Sequence, residues 1–285
     1  MSDNEERWQV VRRRKGRKSV TSQVSPDSTS PQEPLDVRSM INRIRVLMCE
    51  IRCEDFWGKW REQFLNSGPS AVSPPAKDGD AGRNDDGEAS QLWECVCYGL
   101  GSFSSSVSSR YQLAMLLLLL DTIQIAVRDC SIYDPVFTSG EINVLRELGL
   151  TVLTENEEGK RLATRPTVFY LMHCGKALYN NLLWKNWSKQ CLPLIKIIGN
   201  SFDNIKQRSL ARHLKRDYSY ISQAVCLCQE RQLPCPSDMN GIFNDTAVIT
   251  FEANVLDSLP QSTWEDPPEP EYQHCPKLEI IRREN

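Results

Sequence analysis

Histidine is scarce in this chain, with three in 285 residues, and no Cys-x-x-Cys pair occurs. Cys95 and Cys97 are one residue apart, as are Cys226 and Cys228, a spacing that suits no common zinc site. No metal site is therefore expected. Long apolar runs are also missing. The longest, Leu113 to Leu120, ends at Asp121 and falls well short of the roughly 20 residues that span a bilayer. No apolar segment of secretory type stands near the N-terminus. These absences predict a soluble, intracellular chain, mainly cytoplasmic and without a membrane partner. Its eleven cysteines are then expected as reduced, mostly buried thiols. There is no P-loop, no evident acid–base carboxylate pair, no lysine nucleophile motif and no internal repeat. A net charge of −3 excludes a global pull towards nucleic acid or membrane, and direct nucleic-acid binding is not expected.

The charge that is present is uneven. Residues 1–20 carry seven Lys/Arg against three acids. The run Arg12-Arg13-Arg14-Lys15-Gly16-Arg17-Lys18 suits a nuclear import signal or a nucleic-acid contact, or is simply a solvated tail. Residues 1–35, basic and then Ser/Pro-rich, are expected to be disordered. Residues 36–66 read as a helical cover. Met40, Ile44, Leu47 and Ile51 recur at helical spacing, and Phe56, Trp57, Trp60 and Phe64 follow, with a break expected near Gly58. Residues 67–90, dominated by Pro, Gly, Ser and Asp, are a linker that cannot bury enough surface to offset its ordering entropy. The main domain is expected over 91–255, with a disordered C-terminal tail over 256–285.

Within the main domain strands and helices alternate. Strands are expected at Leu92–Tyr98, Ser131–Tyr133, Thr151–Leu153, Thr167–Met172, Leu194–Ile198 and Ala247–Phe251. Helices are expected at Ser105–Val127, Glu141–Leu148 with Gly149 as its stop, Lys176–Trp187 with Asn180 and Asn181 on its polar side, Asp203–His213 and Tyr218–Arg231. This pattern implies an α/β, three-layer, Rossmann-like domain with a mostly parallel sheet covered on both faces. The short link from Leu153 to Thr167 leaves open an antiparallel hairpin for that pair.

In such a sheet ligands sit beyond the carboxyl ends of the strands. The residues that follow the strands are Gly99, Gly101 and Ser102, then Asp134, Asn156, His173 and Cys174, and finally Asn200 and Ser201. The candidate ligand pocket comprises Gly99, Gly101, Ser102, Asp134, His173, Asn200 and Ser201. Gly99-x-Gly101 is an incomplete dinucleotide fingerprint, because the third glycine position is Ser104. Asp134 stands where the ribose-binding acid belongs, though farther along the chain than the fingerprint's roughly 20 residues. The competing reading is that the glycines only permit a tight turn. His173 is a candidate base and Cys174 a candidate nucleophile. As neighbours leaving one strand they point apart, and a hydrogen-bonded structural His173 is the plainer reading. Two Cys-Pro dipeptides occur, Cys235-Pro236 and Cys275-Pro276, the second after His274. A thiolate can ligate haem iron. Chance dipeptides in proline-rich loops compete with that reading.

CYGLGSFSSSVSSRYQLAMLLLL, YDPVFTSGEINVLRELG, the NEEGKR segment, MHCGKALYNNLLW and IGNSF, with FNDTAV near the end, closely resemble the sensitivity-to-red-light-reduced domain family over about residues 91–251. Where other members often carry proline before the histidine, this chain has Met172. The resemblance implies a regulator with unidentified protein partners, linked to circadian clock gene expression and, in animals, to haem biosynthesis, with no established catalytic activity to carry over. An enzyme using a nucleotide-like or S-adenosylmethionine-like cofactor is the alternative, and the cofactor itself is left unknown.

Overall fold

The computed structural model describes residues 35–67, 93–265, 267–273, 275, 280 and 281. The basic run at 12–18 and almost all of the expected linker lie outside the described residues. Among the described residues seven strands form one sheet. They are β1 (Glu94–Tyr98), β2 (Cys130–Tyr133), β3 (Thr151–Val152), β4 (Thr167–Leu171), β5 (Ile195–Asn200), β6 (Cys228–Gln232) and β7 (Thr246–Phe251). Their order is β3-β2-β1-β4-β5-β7-β6. β1 pairs in parallel with β2 and β4, while β7 runs antiparallel to both β5 and β6. The chain leaves β1 towards β2 on one side and returns to β4 on the other. A switch in direction of this kind opens a crevice at the carboxyl ends of the two strands.

Both faces of the sheet are covered, and strand alternation sorts the side chains between them. Cys95, Cys97, Val168, Tyr170, Ile198 and Val248 face one layer. That layer holds α1 (Val37–Cys53), α2 (Asp55–Leu65), α3 (Val107–Thr122), α4 (Ser139–Glu147) and the short α9 (Asn240–Phe243). Val96, Tyr98, Phe169, Leu171, Ile197 and Ile249 face the other. It holds α5 (Lys176–Lys185), α6 (Phe202–Arg208), α7 (Ala211–Asp217), α8 (Ser219–Ala224) and α10 (Ala253–Asp257). The run Leu113–Leu120 is buried throughout, as expected of a helix that is apolar all round. It lies in the covered layer with α1 against it. Met40, Ile44 and Ile51 of α1 are buried, as are Trp60 and Phe64 of α2. α2 also covers Lys196 of β5, whose buried Nζ sits 4.7 Å from the Phe64 ring centroid and has no hydrogen-bond partner among the described residues.

Several expectations are corrected. β3 and β4 are not a hairpin, because β3 pairs with β2 and β4 with β1 and β5. Their connection is an irregular crossover held by α5. Asn181 Nδ2 donates to Glu158 O at 2.8 Å, Asn186 Nδ2 to Arg161 O at 2.8 Å, and Asn186 Oδ1 accepts from Ala163 N at 2.8 Å. Asn180 and Asn181 are both buried, not a solvent face; Asn181 holds the loop, and Asn180 Oδ1 accepts from Tyr220 N and Ile221 N at the start of α8. The helix expected to Arg231 ends at Ala224, and Cys228–Gln232 is an edge strand. The helix expected over Asp203–His213 is two helices, because Ser209 is extended (φ −111°, ψ 142°). The N-terminal break falls at Glu54, also extended (φ −78°, ψ 138°), while Gly58 lies inside α2.

Candidate functional site

The loop from β1 to α3 depends on two glycines with positive φ, Gly99 at +67° and Gly101 at +78°. Gly99 N donates to Tyr133 O at 3.3 Å. Gly101 N donates to Asp134 Oδ2 at 2.8 Å, and Asp134 Oδ1 accepts from Val136 N at 2.9 Å. Asp134 thus ties the first loop to the second. The next donors are spent as well. Ser102 Oγ and Ser104 N both donate to Glu141 Oε1 at 2.8 Å. Glu141 Oε2 accepts from Thr138 N at 2.9 Å, closing a capping box at the start of α4. Burial pushes this carboxyl up, but the hydrogen bonds from Thr138, Ser104 and Ser102 outweigh it and hold the group below the ordinary glutamate value. A buried internal carboxylate therefore occupies the loop where an anion would otherwise bind.

Beyond β1, β2, β4 and β5 lies a cavity of about 550 Å³, lined in part by Tyr98, Gly99, Tyr133, Asp134, His173, Cys174, Leu178 and Asn200. That volume is within the usual range for small-ligand sites. A neighbouring hollow of about 850 Å³ shares Asn156, Glu158 and Ile280 with it. His173 is exposed and adopts φ +54°, a conformation that β-carbon-bearing residues rarely hold without cause. Its Nε2 lies 3.1 Å from Asn244 O, a carbonyl that can only accept, so Nε2 carries the proton. Nδ1 then faces Gln112 Nε2 at 3.5 Å. Cys174 is buried and its Sγ donates to Tyr98 O at 3.3 Å. Burial, then the nearby Asp134 charge, push this thiol well above its ordinary range. Asn200 Nδ2 donates to Cys174 O at 3.2 Å. Asn200 Oδ1 is shielded from solvent and has no hydrogen-bond partner among the described residues. At the mouth, Asn156 Nδ2 donates to Ile281 O at 2.6 Å.

Gly99, Asp134, His173 and Asn200 thus meet at the cavity, together with Asn156 and Cys174. Gly101, Ser102 and Ser201 do not line it. Gly101 and Ser102 bind Asp134 and Glu141. Ser201 is fully buried, caps α6 by accepting from Asn204 N at 3.0 Å, and donates to Glu230. The two Cys-Pro cysteines are kept apart. Cys235 packs on the core with α9, and Cys275 on the opposite core beside Tyr218. His274 and Pro276 lie outside the described residues. Sequence reasoning missed Glu141 and Glu230. The spacing Thr138-x-x-Glu141 is a capping-box signature that signals the first. Glu230 falls in a stretch that reads as helix and offers no signal. Among the described residues no group of three metal-ligating side chains forms, and no helix is long and apolar enough to cross a membrane.

Comparison with known proteins gives a consistent set. A sequence model of the SRR1 domain matches residues 61–250. A mouse SRR1-like protein is 39% identical over 243 residues, covering 76% of this chain and 94% of its own length. A Drosophila SRR1-like protein is 33% identical over 174 residues, covering 61% of this chain and 59% of its own. The Arabidopsis protein named SENSITIVITY TO RED LIGHT REDUCED 1 is 37% identical over 122 residues, 43% of this chain and 44% of its own. No solved structure matches.

Proposed function

The chain belongs to the SRR1 domain family, and from that premise we propose that it is a non-enzymatic regulator whose cavity at the β1–β4 switch point receives a ligand or a partner segment. The observation that carries this reading is the engagement of the groups that look catalytic. Asp134 accepts two backbone amides, His173 has both ring nitrogens occupied, and the Cys174 thiol is buried and held protonated. General acid–base chemistry needs a group free to move a proton, and nucleophilic chemistry needs a thiolate. The outputs we propose are those that the family resemblance implies, clock gene expression and haem biosynthesis. We place the protein mainly in the cytoplasm, with nuclear entry through the basic run at residues 12–18.

The test is made in cells. Loss of the protein is expected to change haem level and the rhythm of clock transcripts, and the wild-type chain to restore both. A chain carrying Asp134→Ala and His173→Ala is expected to fail. No change in either readout on loss refutes the regulator, and full rescue by the double variant removes the cavity from the account. Deleting residues 12–18 is expected to lower the nuclear fraction. An unchanged fraction removes nuclear entry by that route.

A further inference from the structure

We infer that the cavity beyond β1 and β4 binds a nucleoside without a phosphate, of the S-adenosylmethionine and S-adenosylhomocysteine class, and not a nucleotide or dinucleotide. This deepens the regulatory reading by naming what the site takes, and it rests on that reading only for the place of the site.

Three observations converge. The order β3-β2-β1-β4-β5-β7-β6 with an antiparallel β7 is the strand order of methyltransferases that bind S-adenosylmethionine. It differs from the order of dinucleotide-binding sheets. Fold order alone assigns no ligand, so the atoms must decide. The second observation is Glu141. In a phosphate-binding loop the turn after β1 offers its N–H groups to the anion. Here Ser104 N and Ser102 Oγ are already held by a buried carboxylate, and Gly101 N by Asp134. A phosphate placed there would find Gly101 N, Ser102 Oγ and Ser104 N already taken and would face a negative charge in a poorly screened setting.

The third observation concerns what the cavity does offer. Its charged side chains among the described residues are Asp134 and Glu158, and no lysine or arginine lines it there. Each Asp134 oxygen accepts one backbone amide, which leaves each a further lone pair. Asn200 Oδ1 is a buried acceptor with no donor among the described residues, a state that a ligand N–H or O–H would relieve. The free groups that Asp134 and Asn200 offer the cavity are thus acceptors. They fit ribose hydroxyls, an exocyclic amine and a cationic centre. The half-buried Tyr133 adds aromatic surface for a planar base.

Isothermal titration of the full chain with S-adenosylhomocysteine, S-adenosylmethionine, ATP and NAD tests this. Measurable binding of the first two, with none for ATP or NAD, is expected. Asn200→Leu keeps the side chain's bulk but removes the acceptor, along with the Nδ2 bond to Cys174 O, and is expected to weaken S-adenosylhomocysteine by about tenfold or more. Should Asn200→Leu fail to fold, Tyr133→Ala, with hydrogen exchange of residues 97–101 and 172–176 on adding S-adenosylhomocysteine, reads the same site. No binding of either S-adenosyl compound overturns the inference, and so does ATP or NAD binding as tightly as they do. Unchanged affinity in a folded Asn200→Leu or Tyr133→Ala chain also overturns it. None of these results bears on loss-of-protein effects in cells, so the regulator and its ligand fail separately.

Discussion

At the scale of single residues, two buried charges carry opposite consequences. Glu141 accepts from Ser102 Oγ, Ser104 N and Thr138 N and is fully buried. Its folded pKa lies below the ordinary value. Its contribution is therefore present above the unfolded glutamate pKa and is lost as pH falls through the folded value. Glu141→Gln places an amide among these donors and is expected to cost about 2 kcal/mol, read as a shift in the urea midpoint at pH 7. Near pH 3 the difference from wild type is expected to shrink. Lys196 behaves in the reverse sense. Burial lowers its ammonium to about 8. Below pH 8 the amine is charged in both states and the burial cost is fully present. Between about 8 and 10.4 only the unfolded chain keeps the proton, so this group's contribution rises with pH by about 3 kcal/mol. Cysteines titrate in the same window with the opposite sign, so the comparison must be with Lys196→Met. That variant is expected to be more stable than wild type at pH 7, and its advantage to vanish near pH 10.5. An advantage that does not depend on pH would show that the amine is not desolvated.

At the scale of elements, legibility tracked how local the cause was. β1, β4 and β7 carry β-branched and aromatic residues between turn signals, and α3 declares itself by length. Each was readable because its burial leaves a pattern in the chain. β6 was not. Its sequence, Cys-Gln-Glu-Arg-Gln, consists largely of good helix formers, and pairing with β7 overrides that preference. The same error hid the role of Glu230, which reaches back from β6 to accept from Phe202 N at 2.8 Å and Asp203 N at 3.2 Å at the start of α6. The candidate site divides in the same way. Of the strand-end residues, Gly99, Asp134, His173 and Asn200 line the cavity, because topology alone brings those positions together. Gly101, Ser102 and Ser201 do not, because they are held by hydrogen bonds to Asp134, Glu141 and Glu230. Glu230→Ala leaves the first amides of α6 without that acceptor. It is expected to cost about 1–3 kcal/mol and to speed hydrogen exchange in residues 202–208 while β1 and β4 stay protected. Uniform exchange across the sheet would instead point to loss of β6 pairing.

At the scale of the whole molecule, the described residues after 255, expected as a tail, meet the α5–α8 layer at several points. Trp184 Nε1 donates to Pro267 O at 2.9 Å, and Trp187 Nε1 to Thr263 O at 3.1 Å. Tyr220 Oη donates to Pro268 O at 2.7 Å. The Tyr272 hydroxyl lies 2.6 Å from Asn181 Oδ1 and accepts from Asn180 Nδ2 at 3.2 Å. The Trp187 ring meets Trp264 at 6.0 Å and Tyr218 meets Tyr272 at 5.7 Å. Asn180 and Asn181 also hold the start of α8 and the β3–β4 crossover, so Tyr272 bears on the same loop that borders the cavity. Ending the chain at residue 258 removes these partners together and exposes four aromatic side chains of the helical layer, Trp184, Trp187, Tyr218 and Tyr220. Each lost hydrogen bond costs about 1 kcal/mol, and the ring contacts add about 0.5–1.5 kcal/mol apiece. At about 2–4 °C per kcal/mol for a domain of this size, the melting temperature is expected to fall by roughly 10–30 °C. Hydrogen exchange in the shortened chain is expected to rise first at residues 155–163, where the crossover rests on Asn181 and Asn186. A shortened chain that melts with the full one would show that these contacts add no net stability, and would return the residues after 255 to a dispensable tail.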